Sequence, residues 1–269
     1  MTLLVGVLCS NGIVIAADRQ ATHGAMGQMT VGQSVTKIRI LKGDTLFASS
    51  GHNGLGQQLS AIIDEKRPEF TNQPYDKSIT KLQDHLRPLV NKALETAGFA
   101  ARVMGPNVAQ SDAICHSLLA APFKDGLRLV EITPQVAVER MSEQLPFISM
   151  GSGKGSADPF LGFLRKVYWP SSLPTVPEGA LAAYWTIKHA IDMKVLGVGF
   201  DVDVFVLQPK DTKSFIARQL DDAELAEHND FILASEDALR TLRSQLSSSS
   251  PAGATPYDAA PPPPQNPTK

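Results

Sequence analysis

Two apolar runs, Thr2–Cys9 and Ile13–Asp18, open the chain with only Ser10-Asn11-Gly12 between them. Apolar run, turn signal and second apolar run together read as a β-hairpin. The runs are nearly continuous rather than alternating, so both faces of each strand need cover. Two registers are open. With Asn11-Gly12 as a two-residue turn, Asp18 falls opposite Val5 and points away from the face of Thr2. With Ser10-Asn11-Gly12 as a three-residue loop and Gly12 left-handed, Asp18 falls opposite Leu4 and shares that face. A site uniting Thr2 and Asp18 needs the second register, or a bulge with the same effect.

Thr2 follows Met1 directly, and a small second residue ordinarily allows the methionine to be trimmed. Trimmed, Thr2 carries an α-amine and a β-hydroxyl on one residue. A hydroxyl is a poor nucleophile until a base takes its proton. An α-amine titrates at about 7.7–8.0 in the absence of perturbation, close enough to working pH to be that base. A threonine with its own terminal amine is a known form of the nucleophile–base unit. The plainer reading is that Thr2 merely starts a strand.

With 269 residues, 43% hydrophobic and 19% charged, the chain can bury a full core in one or two domains. A net charge of −2 leaves no footprint for nucleic acid or an acidic membrane surface. Cys9 and Cys115 lie in apolar, strand-like runs and read as buried thiols in a reducing compartment, not as a disulfide. No basic region precedes the first apolar run, so no signal peptide is expected. No stretch is long enough and apolar enough for a membrane span. A cytoplasmic location is the expectation.

Further along, a Gly- and Met-rich loop, His23 to Gly32, precedes a strand over about Ser34–Leu41 and another over Thr45–Ser50, ended by Gly51. Asn53 is a plausible cap for a helix reaching about Glu65, with Leu55, Leu59, Ile62 and Ile63 on one face. A second helix runs from about Ser78 to Ala97, and Pro88 should kink it or start a new one. Gly98–Gln110 reads as loop. Strands are expected over Asp112–Ala121, Leu127–Thr133, Gln135–Met141 and Phe147–Met150, with Asp125-Gly126 turning one hairpin. A helix follows near Ser156–Val167. Thr175-Val176-Pro177-Glu178 is a capping box for the next, reaching about Met193. Val202–Leu207 and Ser214–Arg218 read as strands. Asp221 and Glu224 open a last helical region to about Leu246, with breaks expected near Asn229 or Ser235. Residues 1–246 read as one domain. Ser247–Lys269 holds four consecutive serines and seven of the 19 prolines, and reads as a disordered tail. Strand runs alternating with helix pairs give an α+β fold: two mainly antiparallel sheets between helix layers, an αββα sandwich.

Candidate chemistry gathers at Thr2, Asp18, Lys37, Gly51 and Ser152. Gly51 sits at a strand-to-helix turn, where a backbone N–H can serve an oxyanion. Asp18 and Lys37 also read as a plain ion pair at strand ends, and Ser152 as a helix cap. Gly151-Ser-Gly-Lys-Gly-Ser156 fails the phosphate-loop rule, because Gly155 follows Lys154 and Ile148 holds the first glycine position. The histidines His23, His52, His85, His116, His189 and His228 have no metal-ligand spacing.

Thr2-Leu-Leu-Val-Gly-Val, then Asn11-Gly12-Ile-Val-Ile-Ala-Ala-Asp18-Arg19-Gln20-Ala21-Thr22, resembles the proteasome β-subunit family, which includes the HslV-type peptidases. Lys37-Ile38, Ala48-Ser49-Ser50-Gly51 and Gly151-Ser152-Gly153 continue the match in order, as do Thr175–Gly179 and Asp203-Val-Phe-Val. The resemblance covers about Thr2 to Arg218 and is closest to the bacterial proteasome homologues. It implies the N-terminal-nucleophile hydrolase fold and a threonine endopeptidase working inside stacked rings of identical subunits, with chain length favouring seven-fold over six-fold symmetry. Thr2 would be the nucleophile, Lys37 its electropositive neighbour, Asp18 the partner that fixes Lys37, Gly51 the oxyanion donor, and Ser152 a partner of the terminal amine. Thr22 would offer backbone groups to an extended substrate. Ala21, Val35, Ser49 and Asn53 match positions lining the first specificity pocket. Substrates would be peptides or unfolded proteins, with an ATP-dependent unfoldase as a candidate partner. No cofactor or metal is implied.

Two features depart from the family pattern. Only Met1 stands before Thr2, so no propeptide is expected. The Asp and Ser usual before the penultimate strand are replaced by Met193-Lys-Val-Leu-Gly-Val-Gly199, with Asp192 the nearest acid. Either Asp192 substitutes from a shifted position or that support is missing. The competing functions are a ring-forming structural homologue without turnover and a small-molecule amidohydrolase of the same fold.

Overall fold

A computed structural model describes residues 2–23, 31–104, 114–212 and 214–248. The loop expected from His23 to Gly32 falls mostly outside them, as does nearly all of the Ser/Pro-rich tail. The chain divides into two compact units, Met1–His228 and Asn229–Lys269.

The first unit begins with strands β1 (Leu3–Cys9), β2 (Gly12–Asp18), β3 (Gln20–His23), β4 (Val31–Ser34), β5 (Ile38–Leu41) and β6 (Thr45–Gly51). Helices α1 (Asn53–Thr71) and α2 (Tyr75–Met104) follow, then β7 (Cys115–Phe123), β8 (Gly126–Ile132), β9 (Val138–Arg140) and β10 (Phe147–Gly151). Next come α3 (Lys154–Tyr168), α4 (Val176–Asp192), β11 (Val202–Pro209) and β12 (Phe215–Gln219). Helix α5 (Asp222–Ser248) starts in this unit, and its remainder is the described part of the second.

Two five-stranded sheets form, ordered β10-β1-β2-β11-β12 and β5-β6-β7-β8-β9, with β3-β4 as a separate ribbon. Every pairing is antiparallel. Alternation along the opening hairpin explains its near-continuous hydrophobicity. Leu3, Val5, Val14 and Ala16 face Leu161 of α3 and Ala180, Ala183 and Ile187 of α4. Leu4, Ile13, Ile15 and Ala17 face Leu46, Ala48, Leu118 and Leu129 of the other sheet. That second sheet covers its outer side with Leu55, Leu59 and Ile63 of α1 and Leu82 and Leu86 of α2. The layering is therefore αββα, with the opening hairpin in its interior. Fully burying each such leucine or isoleucine stabilises the fold by roughly 1.5–3 kcal/mol.

Neither expected register of the hairpin occurs. Ser10 and Asn11 form the turn, and Gly12 pairs with Cys9, which sets Leu4 opposite Ala17 and brings Asp18 level with Leu3. Gly12 serves close approach, not a left-handed turn. A Cβ there would lie 2.5 Å from Val176 Cγ2 and 2.6 Å from the Leu207 carbonyl oxygen. Asn11 Oδ1 accepts the Val176 N–H at 2.9 Å, and the Ser10 N–H donates to the Pro174 carbonyl at 2.8 Å. The turn is thus shaped by the start of α4, 165 residues away.

Other boundaries shift for similar reasons. The single strand expected over Ser34–Leu41 is two, β4 and β5, and β3 is an added strand that pairs with β4. His52, not Asn53, caps α1, its Nδ1 accepting the Leu55 N–H at 3.1 Å, and α1 runs past Pro68 to Thr71. Helix α2 continues through Pro88 to Met104, where a loop was expected from Gly98. An internal proline costs about 3 kcal/mol; here Leu82, Leu86 and Val90 are buried on both sides of Pro88 and offset it. The capping box of α4 forms, with Glu178 Oε2 accepting the Thr175 N–H at 2.7 Å. Helix α5 is unbroken from Asp222 to Ser248. Among the described residues no helix is long and apolar enough to cross a membrane.

Cys9 and Cys115 are free, buried thiols. Burial, reinforced by the charge of Glu178, pushes the Cys9 thiol up to about 12. Burial also raises Cys115, against hydrogen bonds from Ser117 and Ser49. A thiolate-selective alkylating reagent at about pH 8 is expected to leave both unmodified in the native protein and to label both in denaturant, as read by mass spectrometry.

Candidate active site

Asp18 ends β2 with no exposed surface. Strict alternation would place its side chain on the Leu3 face, away from Thr2. Because it is the last residue of the strand, its short side chain instead meets main-chain donors at the strand end. Oδ1 accepts the Leu3 N–H at 2.7 Å and Lys37 Nζ at 2.6 Å. Oδ2 accepts the Gln20 N–H at 3.1 Å and the Gly199 N–H at 3.2 Å. A buried carboxylate is tolerated when its lone pairs are filled in this way. Asp18 and Lys37 are therefore a buried pair, not one at an exposed strand edge.

Lys37 lies between β4 and β5 with a side chain only 7% exposed. Burial draws its pKa below the ordinary lysine value, while the charge and hydrogen bond of Asp18 and the charge of Asp203 pull it back up. Lys37 Nζ and the N–H of Leu3, the residue after Thr2, thus share one acceptor, Asp18 Oδ1.

Thr2 is itself buried. Its nitrogen, a peptide amide while Met1 precedes it, donates to Ser152 Oγ at 3.3 Å. Ser152 Oγ is also within donating reach of the Thr2 and Leu196 carbonyls, each at 3.4 Å. The strand end at Gly151 closes against the same residue. Gly151 has φ +92°, and a Cβ there would fall 2.0 Å from the Thr2 carbonyl oxygen and 3.1 Å from Ser50 Oγ. Gly51, with φ +111°, would collide with the Ile114 carbonyl at 2.1 Å if it bore a side chain. Ser50 thus brings the end of β6 against Gly151, whose other neighbour is the Thr2 carbonyl. A Gly151→Ala protein is expected to lose about 2 kcal/mol or more, from left-handed strain plus this clash. Thermal melting measures the loss, and Thr2 reactivity should fall with it.

The predicted specificity residues are held by two sets of elements. Half-buried Ala21 lies on β3, and Val35 donates its N–H to the Arg19 carbonyl at 2.9 Å. Thr22 pairs through its backbone with Gly32. Ser49, at the end of β6, packs against Gly56 of α1, where a Cβ would sit 2.3 Å from its Oγ. Asn53 is exposed as the first residue of α1.

Asp192 does not stand in for the family's acid. It is exposed and lines a surface cleft of about 450 Å³ with Arg19, Tyr184, Lys188, Asp201 and Asp222. Main-chain groups of the following loop reach the site instead: the Leu196 carbonyl at Ser152 and the Gly199 N–H at Asp18. Gly199 also admits Gln20, whose Oε1 would be 2.4 Å from a Cβ there. Sequence reading missed these main-chain groups, along with Ser50 and the Arg19–Asp203 pair. Only Asp203 left a signal, as an acid inside an otherwise apolar strand.

Among solved structures, Anbu (ancestral beta-subunit) from Yersinia bercovieri superposes with a TM-score of 0.61 at 19% identity, over 94% of this chain and 100% of that one. The Anbu complex from Pseudomonas aeruginosa, solved as a helical assembly, gives 0.62 at 15% identity over 95% and 100%. Anbu from Hyphomicrobium sp. strain MC1 gives 0.59 at 18% over 90% and 97%. At these identities the likeness speaks for the fold. No curated protein matches the sequence significantly. The proteasome-subunit family profile matches residues 2–204, most of the chain and all of the site residues considered above. The chain belongs to the proteasome-subunit family.

Proposed function

We propose that this protein is a threonine endopeptidase whose nucleophile is Thr2 after removal of Met1. One observation carries the reading: a buried Lys37–Asp18 pair bonded to the Leu3 amide, adjacent to a buried Thr2 whose nitrogen meets Ser152. On the trimmed chain, the α-amine takes the Thr2 hydroxyl proton as the oxygen attacks the scissile carbonyl. The Lys37 ammonium favours the deprotonated oxygen electrostatically, and Asp18 holds that ammonium in place. The Gly51 N–H receives the oxyanion. The amine then protonates the leaving amine, and an ester on Thr2 remains. Water, deprotonated by the same amine, releases the acid and restores Thr2. Ser152 orients the amine throughout.

An extended peptide would add beside Thr22, with Ala21, Val35, Ser49 and Asn53 around its first side chain. Self-association into a ring or helical particle in the cytoplasm would restrict substrates to peptides and unfolded chains. The helical assembly of the Pseudomonas aeruginosa relative supports self-association. The test is mass spectrometry of the purified particle before and after a peptide epoxyketone or β-lactone. Loss of Met1 and one adduct mapped to Thr2 are expected. An adduct elsewhere, or turnover by a particle that keeps Met1, overturns the assignment.

A further inference from the structure

We propose that Asp203 is a positioning residue for this site, acting through Arg19; the inference rests on the threonine-peptidase reading and adds a group outside it. Asp203 lies on β11 opposite Ala17, with no exposed surface. Its neighbours on the strand, Val202, Val204 and Phe205, are buried and apolar. A carboxylate in that setting is costly unless paired. Its Oδ1 accepts from Arg19 at Nε (2.8 Å) and at a terminal guanidinium nitrogen (2.6 Å), and from Gln219 Nε2 at 2.9 Å. Oδ2 is buried without a hydrogen-bond partner.

The main chain of Arg19 is bonded on both sides. Its N–H donates to the Asp201 carbonyl at 3.0 Å, and its carbonyl accepts the Val35 N–H at 2.9 Å. Asp18 is the preceding residue, and Lys37 is two residues beyond Val35. Fixing the Arg19 side chain on Asp203 therefore fixes the backbone leading to both members of the Lys37–Asp18 pair. An apolar pair of similar volume would serve folding as well as this pair of a buried carboxylate and a half-buried guanidinium. It would not hold two guanidinium nitrogens in a fixed direction on one carboxylate oxygen, as Arg19 does on Asp203 Oδ1. Asp203 also acts on Lys37 by charge.

The test compares wild type, Asp203→Asn and the double variant Arg19→Met/Asp203→Leu. Readouts are melting temperature, the rate of electrophile addition to Thr2 against pH, and hydrogen exchange at the Leu3 and Val35 amides. The double variant is expected to melt near wild type, yet to acylate Thr2 about 10- to 100-fold more slowly and to exchange both amides faster. Charged side chains facing Lys37 are Asp18 and Asp203, with Arg19 behind the latter. Asp203→Asn removes one stabiliser of the ammonium and leaves Arg19 only the more distant, exposed Asp201 at 3.7 Å, so the alkaline limb of the acylation profile should move to lower pH. Wild-type acylation and wild-type exchange in a folded double variant overturn the proposal. If wild type itself takes no adduct, the peptidase reading fails, and unchanged protection of Leu3 and Val35 then decides against Asp203 separately. Should the double variant not fold, Arg19→Lys, which keeps the charge and loses the fork, carries the same readouts.

Discussion

Thr2→Ala is expected to abolish the electrophile adduct and to lower peptide hydrolysis by at least about 1,000-fold, with the fold intact. The size of the effect follows from the chemistry assigned to the residue: the attacking oxygen disappears, and the terminal amine is left without a hydroxyl of its own to activate. Asp18, Lys37 and Ser152 bond to one another's neighbours through backbone groups and side chains that the substitution leaves in place. Stability should therefore change by no more than about 1 kcal/mol, checked by thermal melting alongside hydrolysis of a fluorogenic peptide. Thr2→Ser keeps the hydroxyl and should keep measurable turnover. Full activity in Thr2→Ala would move the chemistry to another residue.

Asp18→Ala should be the most destabilising change in the site, by about 3–5 kcal/mol, a large part of the 5–15 kcal/mol that typically holds a domain together. It strands the Lys37 ammonium in a site only 7% exposed and leaves the Leu3, Gln20 and Gly199 amides without their acceptor. Urea unfolding measures the loss. The pH dependence follows from Lys37, whose pKa burial has lowered below the ordinary 10.5. Between that lowered value and 10.5 the unfolded chain binds more protons than the folded one, so stability rises with pH across the window. The Lys37 contribution is present above 10.5 and is lost as pH falls through the folded value. Lys37→Met removes this slope. Asp18→Ala, which takes away a charge that holds the proton on, widens the window downward. A wild-type protein whose urea midpoint shows the same pH slope as Lys37→Met would contradict this account.

Much of the candidate site was legible because its marks are local. Thr2, Asp18, Lys37, Gly51 and Ser152 each stand at the end of an apolar run or in a glycine turn, where strand chemistry stops. The same holds for the α4 cap at Thr175–Glu178 and for the two-sided burial of the opening hairpin. What failed was local logic applied to positions governed from far away. Gly12 looked like a turn glycine, yet α4 and β11 press on it. Pro88 looked like a break, yet the buried stripe around it carries α2 through. Asp192 was the nearest acid in sequence, yet it faces a surface cleft.

By itself, then, the chain's order of residues determined which strands lie inside the sandwich and which side chains are candidates for the chemistry, because side-chain period and residue chemistry are properties of short segments. Only the tertiary structure decided the hairpin register, the contacts of the Leu196 and Gly199 main-chain groups with Ser152 and Asp18, and the Arg19–Asp203 clamp. These rest on hydrogen bonds between Asn11 and Val176, Asp18 and Gly199, and Arg19 and Asp203, separated by 165, 181 and 184 residues. A main-chain N–H or carbonyl is the same at every position, so nothing in the sequence marks which one a fold will bring to a carboxylate.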